Sequence, residues 1–388
     1  MAAIDPSAPT AAESAQMAVE AGLLYVSCQE PGIRRVRAAK GFYYLTPDNR
    51  RLRSASELRR IDSLAVPPAY ENVWICVSPR GHLQATGQDA RGRKQYRYHP
   101  QWREVRDSAK FDRMVAFGEA LPKLRRRLTR DLKLQGLPRE KVLAAVVTLL
   151  DTTRARIGNA EYARENKSFG LTTLRNRHVT FVADGRAVLN FRGKGGVQHE
   201  LRIDDKRIVR IVYRCQELPG QHLFQFVADD GSRCPVDSGQ VNDYLREVMG
   251  DDFTAKDFRT WGATLRALVL LGRTPRESDA TEAALKKAIA GVVKQVAAEL
   301  RNTPAVCRKS YINPLVFDGW RSGLIQEAFG ASQTTISTRK AESLVLDFLR
   351  SIRTAPTVRE STANRAARMR ASKPNGPRAS TTPEFALA

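Results

Sequence analysis

The most constraining stretch of this chain is Arg301-Asn302-Thr303-Pro304-Ala305-Val306-Cys307-Arg308-Lys309-Ser310-Tyr311-Ile312-Asn313-Pro314. An amphipathic pattern from Thr281 to Leu300 runs into it and predicts a helix that stops at Arg301. Thr303-Pro304 predicts a fresh start, with threonine at the N-cap and proline at the first helical position, where its missing N–H costs nothing. Pro314 limits the new helix, because a proline disfavours helical backbone in the residue before it. Tyr311 therefore sits on a short, heavily punctuated helix beside Arg308 and Lys309. A phenol is a poor nucleophile near neutral pH, since its free pKa is about 10. Cations held beside it favour the phenolate and attract a phosphate. A tyrosine here can equally pack its ring in a core and turn its hydroxyl to water, and this stretch alone leaves both readings open.

Charge narrows the partner. The 388 residues carry 64 Lys+Arg against 41 Asp+Glu, a net +23. An excess of that size points to a polyanion: nucleic acid first, an anionic membrane surface second, a merely basic protein third. No apolar run approaches the roughly 18 residues of a membrane span. The first residues, Met1 to Gln16, are rich in Ala, Ser and Pro, with neither a basic nor an apolar region of a secretory signal. Disorder is the expectation for 1–20. The five cysteines (Cys28, Cys76, Cys215, Cys234 and Cys307) include no C-x-x-C pair. Their scatter argues against a zinc site or a disulfide framework and suits a reducing cytoplasm. No metal or other cofactor is expected, and the acidic pairs Asp204-Asp205, Asp229-Asp230 and Asp251-Asp252 read as turns. No histidine follows His222, so chemistry around Tyr311 cannot draw on one from that part of the chain.

A hydrophobic fraction of 42% over this length suffices for two domains with real cores. Residues 21–103 read as a small β-rich domain: Leu23-Val26, Phe42-Leu45 and Val73-Val77 are strand-like, and Ser56 to Ser63 is helical. The stretch Gln95-Tyr96-Arg97-Tyr98 and the basic residues before it have the composition of a nucleic-acid surface, or of a basic strand without a partner. Residues 104–353 read as mainly helical. Glu140 to Asn159 carries a helical apolar stripe, with Arg154 and Arg156 at its end and Gly158-Asn159 as its stop. Asp184-Gly185 between Val179-Val182 and Ala187-Phe191 is a strong hairpin signal. Arg192-Gly193-Lys194-Gly195-Gly196 makes a second turn into a third strand, Val197-Ile203. Lys194 is either a solvated turn lysine or a cation that glycines let approach a ligand. Thr254-Ala255-Lys256-Asp257 opens a helix in capping-box style. Arg259 lies in its first turn, where a cation opposes the helix dipole and calls for a compensating anion. Ala341 to Ile352 is a last amphipathic helix. Residues 354–388 hold six basic and two acidic residues and read as a disordered, nucleic-acid-attracting arm. The fold class expected is α+β: the small β-rich domain, then a mainly α-helical domain containing a three-stranded sheet.

Collected, Arg156, Lys194, Arg259, Asn302 and Tyr311 suit phosphoryl transfer to a side-chain nucleophile. Arginines can clamp the non-bridging oxygens, the amide can donate a further hydrogen bond, and the lysine can protonate the departing oxygen. Four stretches in order resemble the type IB DNA topoisomerases, especially the compact poxvirus-like bacterial branch. They are Arg154-Ala155-Arg156-Ile157-Gly158-Asn159, Phe191-Arg192-Gly193-Lys194, Lys256-Asp257-Phe258-Arg259-Thr260-Trp261-Gly262, and Asn302-Thr303-Pro304 through Tyr311, nine residues after Asn302. The resemblance implies that those five residues are catalytic, with Tyr311 the nucleophile. It also implies that Gln95, Tyr96, Tyr98 and Tyr162 contact DNA, and that the two domains close as a clamp around duplex DNA. Cleavage would pass through a 3′-phosphotyrosyl link without ATP or metal. A monomer with no protein partner, cytoplasmic and nucleoid-associated, is the matching expectation. Asn302 stands where many members carry histidine; it can still donate a hydrogen bond but cannot hold a charge. A tyrosine recombinase is the alternative, although Lys256 stands where recombinases usually carry histidine.

Overall fold

Alternating β-branched and aromatic residues, broken by Gly, Pro and Asn, give the first part of the chain its strands. In the computed structural model these are β1 (Ile33–Arg37), β2 (Phe42–Leu45), β3 (Glu71–Ile75), β4 (Leu83–Gln88) and β5 (Lys94–Tyr98). They form one antiparallel sheet in the order β2-β1-β3-β4-β5. Helix Ala55–Ser63 is capped by Ser54, whose side chain accepts from Glu57 N. It closes a core of Ile33, Ile61, Val73, Ile75 and Ala85, with Tyr44, Leu52 and Val66 packed against it. Burying each large aliphatic side chain there contributes about 1.5–3 kcal/mol before the entropy cost. Arg60 ties the helix to the sheet, donating to Gln84 Oε1 at 3.0 Å and to Cys76 O at 2.8 Å.

The structure describes residues 11–90, 92, 94–250, 253–276, 280–329 and 336–354. Packing divides the chain into two compact units, Met1–Trp261 and Gly262–Ala388, and the boundary falls inside helix Ala255–Gly272.

Three expectations change. Residues 11–20, expected to be disordered, form helix Ala11–Glu20, because alanine-rich sequence is intrinsically helical and Ala18 is buried in a cluster with Leu23 and Trp102. Residues 1–10 lie outside the described residues, as does the expected arm beyond Thr354. Leu23-Val26 is not a strand: it makes a single bridge, Leu24 with Gly81. The helix expected over Glu140 to Asn159 is Arg139–Thr153, ended by Arg154 in the left-handed conformation (φ 55°). Asn159, expected to stop that helix, instead caps the next one, Ala160–Asn166, accepting from Tyr162 N at 3.0 Å.

Helix Arg139–Thr153 is buried nearly all round, from Val142 to Leu150, and is the centre of the first unit's helical part. Helix Met114–Asp131 and helix Ser238–Met249 meet at Asp131, which accepts from Tyr244 Oη at 2.9 Å and from Arg127 Nε at 2.7 Å. Burial pushes Asp131 up, but the bonds from Arg127, Tyr244 and Arg130 outweigh it and hold the carboxyl below its ordinary value. Phe117 stands edge-on to Phe258, centroids 5.2 Å apart, and so seats the start of the Arg259 helix.

The three expected strands are β6 (Val179–Val182), β7 (Arg186–Arg192) and β8 (Gln198–Ile203), an antiparallel sheet in that order. Gly185 takes φ 79° in the first turn. A short hairpin pair, β9 (Gln225–Val227) with β10 (Arg233–Pro235), completes the strands among the described residues, with Asp229-Asp230 between them. Asp205 of the first acidic pair caps helix Lys206–Glu217, and Asp251-Asp252 lie outside the described residues. The second unit is helical: Glu282–Glu299, Pro304–Ser310, Leu315–Arg321, Leu324–Phe329 and Thr338–Thr354 follow the end of helix Ala255–Gly272. Its last helix packs on Gly319, where a side chain would run into the Phe348 ring.

Candidate active site

Arg156 lies beyond a helix, not in one. The left-handed turn at Arg154 frees the chain to run as a loop, and that loop is clamped by backbone. Leu171 N donates to Arg156 O at 3.0 Å and Thr172 N to Ile157 O at 2.7 Å. Gly158 (φ 106°) and Gly170 lie in backbone contact: a Cβ on Gly170 would sit 2.5 Å from Gly158 N and 2.6 Å from Arg156 O. The amino side of the same clamp holds the Lys194 turn. Phe169 N donates to Arg192 O at 2.8 Å and Ser168 Oγ to Gly193 O at 3.2 Å. One segment, 168–172, therefore fastens the Arg156 loop to the root of the Lys194 turn. Lys194 itself is exposed at the β7–β8 tip, followed by Gly195 (φ 75°) and Gly196 (φ 81°).

Arg259 is only 4% exposed, although it stands in a helix's first turn. Its Nη1 donates to Arg154 O, the carbonyl at the end of helix Arg139–Thr153. The negative end of one helix thus answers the cation at the positive end of another. Half of the expected capping box is present: Asp257 Oδ2 accepts from Thr254 N at 2.9 Å. The Thr254 hydroxyl donates to that same oxygen at 3.0 Å, and Asp257 N donates to the Thr254 carbonyl at 3.0 Å instead. Burial pushes the Asp257 carboxyl above its ordinary value despite these bonds.

In the second unit, Asn302 and Tyr311 flank helix Pro304–Ser310. Thr303 is its N-cap and Pro304 its first residue, as the sequence predicts, and Tyr311 is the residue that ends it (φ −128°). Asn302 N donates to Ala297 O at 2.9 Å. Tyr311 is fixed through its backbone: its N–H donates to Cys307 O at 3.0 Å, and its carbonyl accepts from Thr264 Oγ1 at 3.2 Å. Thr264, fully buried, also accepts from Asn313 N at 3.0 Å.

The expected DNA-contact residues divide. Tyr96 and Tyr98 lie on one face of β5, stacked with centroids 6.0 Å apart, and Tyr96 is exposed. Gln95, one residue away, points to the other face. Its amide donates to Asp89 Oδ2 at 3.0 Å. Tyr162 is half exposed on its short helix. Lys94 shares the face of Tyr96, with its ammonium 5.9 Å above that ring. The hydrogen bond to the Cys28 thiol, at 3.0 Å, raises the Lys94 pKa.

Sequence reading missed Ser168, Gly170, His199 and Thr264. Ser168-Phe169-Gly170 offered a glycine as its one signal, and a buried threonine in a helix offers none. Among the described residues no group of three His, Cys, Asp or Glu is placed to hold a metal ion, and no helix is long and apolar enough to cross a membrane.

Residues 41–89 match the family model of the bacterial DNA topoisomerase IB N-terminal domain, and residues 99–315 that of the eukaryotic DNA topoisomerase I catalytic core. The DNA topoisomerase 1B of Acanthamoeba polyphaga mimivirus is 34% identical over 286 residues, 72% of this chain and 85% of that protein. The DNA topoisomerase 1B of vaccinia virus (strain Copenhagen) is 25% identical over 253 residues, 64% of this chain and 75% of its own length. The DNA topoisomerase 1 beta of Arabidopsis thaliana is 23% identical over 178 residues, 45% of this chain and 18% of its own length. With a family model covering more than half of its length and a viral relative matched across most of both sequences, the chain belongs to the type IB DNA topoisomerases.

Proposed function

We propose that this chain relaxes supercoiled duplex DNA by cutting and resealing one strand through Tyr311. The phenolic oxygen of Tyr311 attacks a phosphodiester phosphorus, a Tyr–O–P bond forms, and the P–O5′ bond breaks. The phenol proton leaves to solvent, and the Lys194 ammonium supplies a proton to the departing 5′-oxygen. Arg156 and Arg259 bind the two non-bridging oxygens, where charge builds in the transition state, and Asn302 donates one more hydrogen bond. While the 3′-phosphotyrosyl link holds one end, the free 5′-hydroxyl end rotates about the intact strand. Its return attack restores the phosphodiester and releases Tyr311. The bond energy stays in the covalent link, so ATP is not consumed, and fixed cations take the part a metal would play.

The observation that carries this reading is the 168–172 segment, bonded on one side to the Arg156 loop and on the other to the Lys194 turn. It sets a clamp and a proton donor in one frame, as one phosphodiester requires. Within the second unit, Thr264 holds the Tyr311 backbone. Tyr96, Tyr98, Lys94 and Tyr162 offer aromatic and cationic contacts to the duplex, and Gln95 reaches a base edge once it exchanges Asp89 for DNA. The enzyme acts as a monomer in the cytoplasm, on the nucleoid.

Plasmid relaxation tests this directly. Relaxation is expected with EDTA present and no ATP, together with a covalent protein–DNA adduct on a nicked strand. Tyr311→Phe removes one oxygen and is expected to abolish relaxation and adduct while DNA binding persists. Relaxation by the variant at near wild-type rate would exclude Tyr311 as the nucleophile.

A further inference from the structure

We propose that His199 is a positioning residue: its buried imidazole is the platform that sets the Lys194 turn in register for proton delivery. The proposal rests on the reading of Lys194 as the proton donor to the leaving 5′-oxygen.

The geometry is local and specific. His199 on β8 stands directly opposite Phe191 on β7, and the two rings stack with centroids 5.0 Å apart and planes 5° from parallel. His199 is 6% exposed although it lies one residue inside the end of its strand. At the Cδ2–Nε2 edge of the ring sits Gly193, the residue before Lys194. A Cβ added to Gly193 would lie 2.6 Å from both His199 Cδ2 and Nε2. The imidazole therefore fills the space that a side chain at 193 would need, and the backbone of the turn abuts the Cδ2–Nε2 edge of the ring. Gly193 N–H donates to Val197 O at 2.8 Å, and Gly193 O accepts from Ser168 Oγ at 3.2 Å. The root of the turn is thus held from three sides. Its far end is open: a Cβ on Gly195 would meet nothing within 4 Å. An exposed lysine has many rotamers, so the reach of its ammonium is set by the root of the turn. Phe191 holds the imidazole by stacking on its face, the imidazole presents its Cδ2–Nε2 edge, and Gly193 is the bare backbone that fits against that edge.

A positioning role predicts a defect in proton delivery and little else. Wild type, Lys194→Ala, His199→Ala and the double variant are compared in single-turnover cleavage at saturating enzyme. Each acts on ordinary DNA and on DNA with sulfur in place of the bridging 5′-oxygen, which departs as a thiolate and hardly needs a proton. Lys194→Ala should lose about 10²- to 10⁴-fold on ordinary DNA and almost nothing on the sulfur substrate. His199→Ala should lose about 10- to 100-fold on ordinary DNA, the range expected for a misplacement of about 1 Å, with the same recovery on sulfur. The double variant should be no slower than Lys194→Ala, since the two act as one unit. Gly193→Ala drives a methyl into the Cδ2–Nε2 edge of the ring and should show the same sulfur-selective loss, independently of how well His199→Ala folds. Equal loss on both substrates by Lys194→Ala overturns the reading of Lys194 itself. Selective loss by Lys194→Ala with unselective loss, or none, by both His199→Ala and Gly193→Ala overturns the proposal for His199.

Discussion

The Arg156–Arg259 region and the Lys194 turn are built in opposite ways. Arg259 is buried and bonded to the carbonyl of Arg154, and the Arg156 loop is stitched by backbone to residues 170–172. Lys194 is exposed, on a tip of glycines, and only the root of its turn is held. The difference suits the work proposed for each. A clamp on developing charge gains most from groups that need no reorganisation when the charge appears. A proton donor has to meet a leaving oxygen and then accept the reverse transfer during resealing, and an exposed tip on a fixed root leaves room for both.

That comparison can be broken most sharply at Arg259. Arg259→Ala should lose about 10²- to 10³-fold in single-turnover cleavage, as removal of one preorganised donor does elsewhere. Unlike Lys194→Ala, it should be equally defective on oxygen and sulfur substrates. Recovery on sulfur would make Arg259 part of the proton path. The variant also strands the Arg154 carbonyl, so its unfolding free energy should fall by about 1–3 kcal/mol.

Next in size is a pair of glycine variants. Gly170→Ala forces a methyl against the backbone of Gly158 and Arg156, and neither can yield as a side-chain tip would. A stability loss of about 1–3 kcal/mol is expected, with slower cleavage on both substrates. Gly195→Ala meets no atom and carries only the strain of its positive φ. It should cost about 1 kcal/mol and leave cleavage near wild type. Similar cleavage rates for the two would show that the stiffness of the Arg156 loop is incidental.

The smallest effect is electrostatic. The Asp257 carboxyl is raised by burial, so the folded state binds its proton more tightly than the unfolded one. Its contribution to stability is then greatest below the unfolded pKa of about 3.9 and is lost as pH rises through the folded value. Asp257→Asn keeps an oxygen to accept from Thr254 and removes the titration. Denaturant unfolding across that window should show the variant gaining on wild type as pH rises. A difference that is flat with pH, or shrinks, would mean the carboxylate is stabilised where it sits.

Much of this molecule could be read from composition and spacing. Thr303 and Pro304 start their helix where expected, the Asp184-Gly185 hairpin and its third strand are present, and Asp257 returns to Thr254. These are local events: a cap, a turn or a proline acts on backbone within a few residues, so its outcome is written in those residues. The ordered appearance of Arg156, Lys194, Arg259, Asn302 and Tyr311 is equally a property of the string, and with it the family.

Tertiary structure decided the rest. Nothing near Arg154 announces a left-handed residue, and the apolar stripe of its helix would run on to Ile157; the helix stops because Leu171 and Thr172 take the carbonyls of Arg156 and Ile157. Ala11–Glu20 is ordered because Ala18 finds Leu23 and Trp102. Arg259 reads as a surface cation until another helix brings the Arg154 carbonyl to it. Gly193 is an ordinary turn glycine until the ring edge of His199, six residues on, is folded against it. Each of these depends on an atom supplied from elsewhere in the fold. Burial and hydrogen-bond partnership are set by which segments meet, and a short window of sequence holds only one side of each meeting.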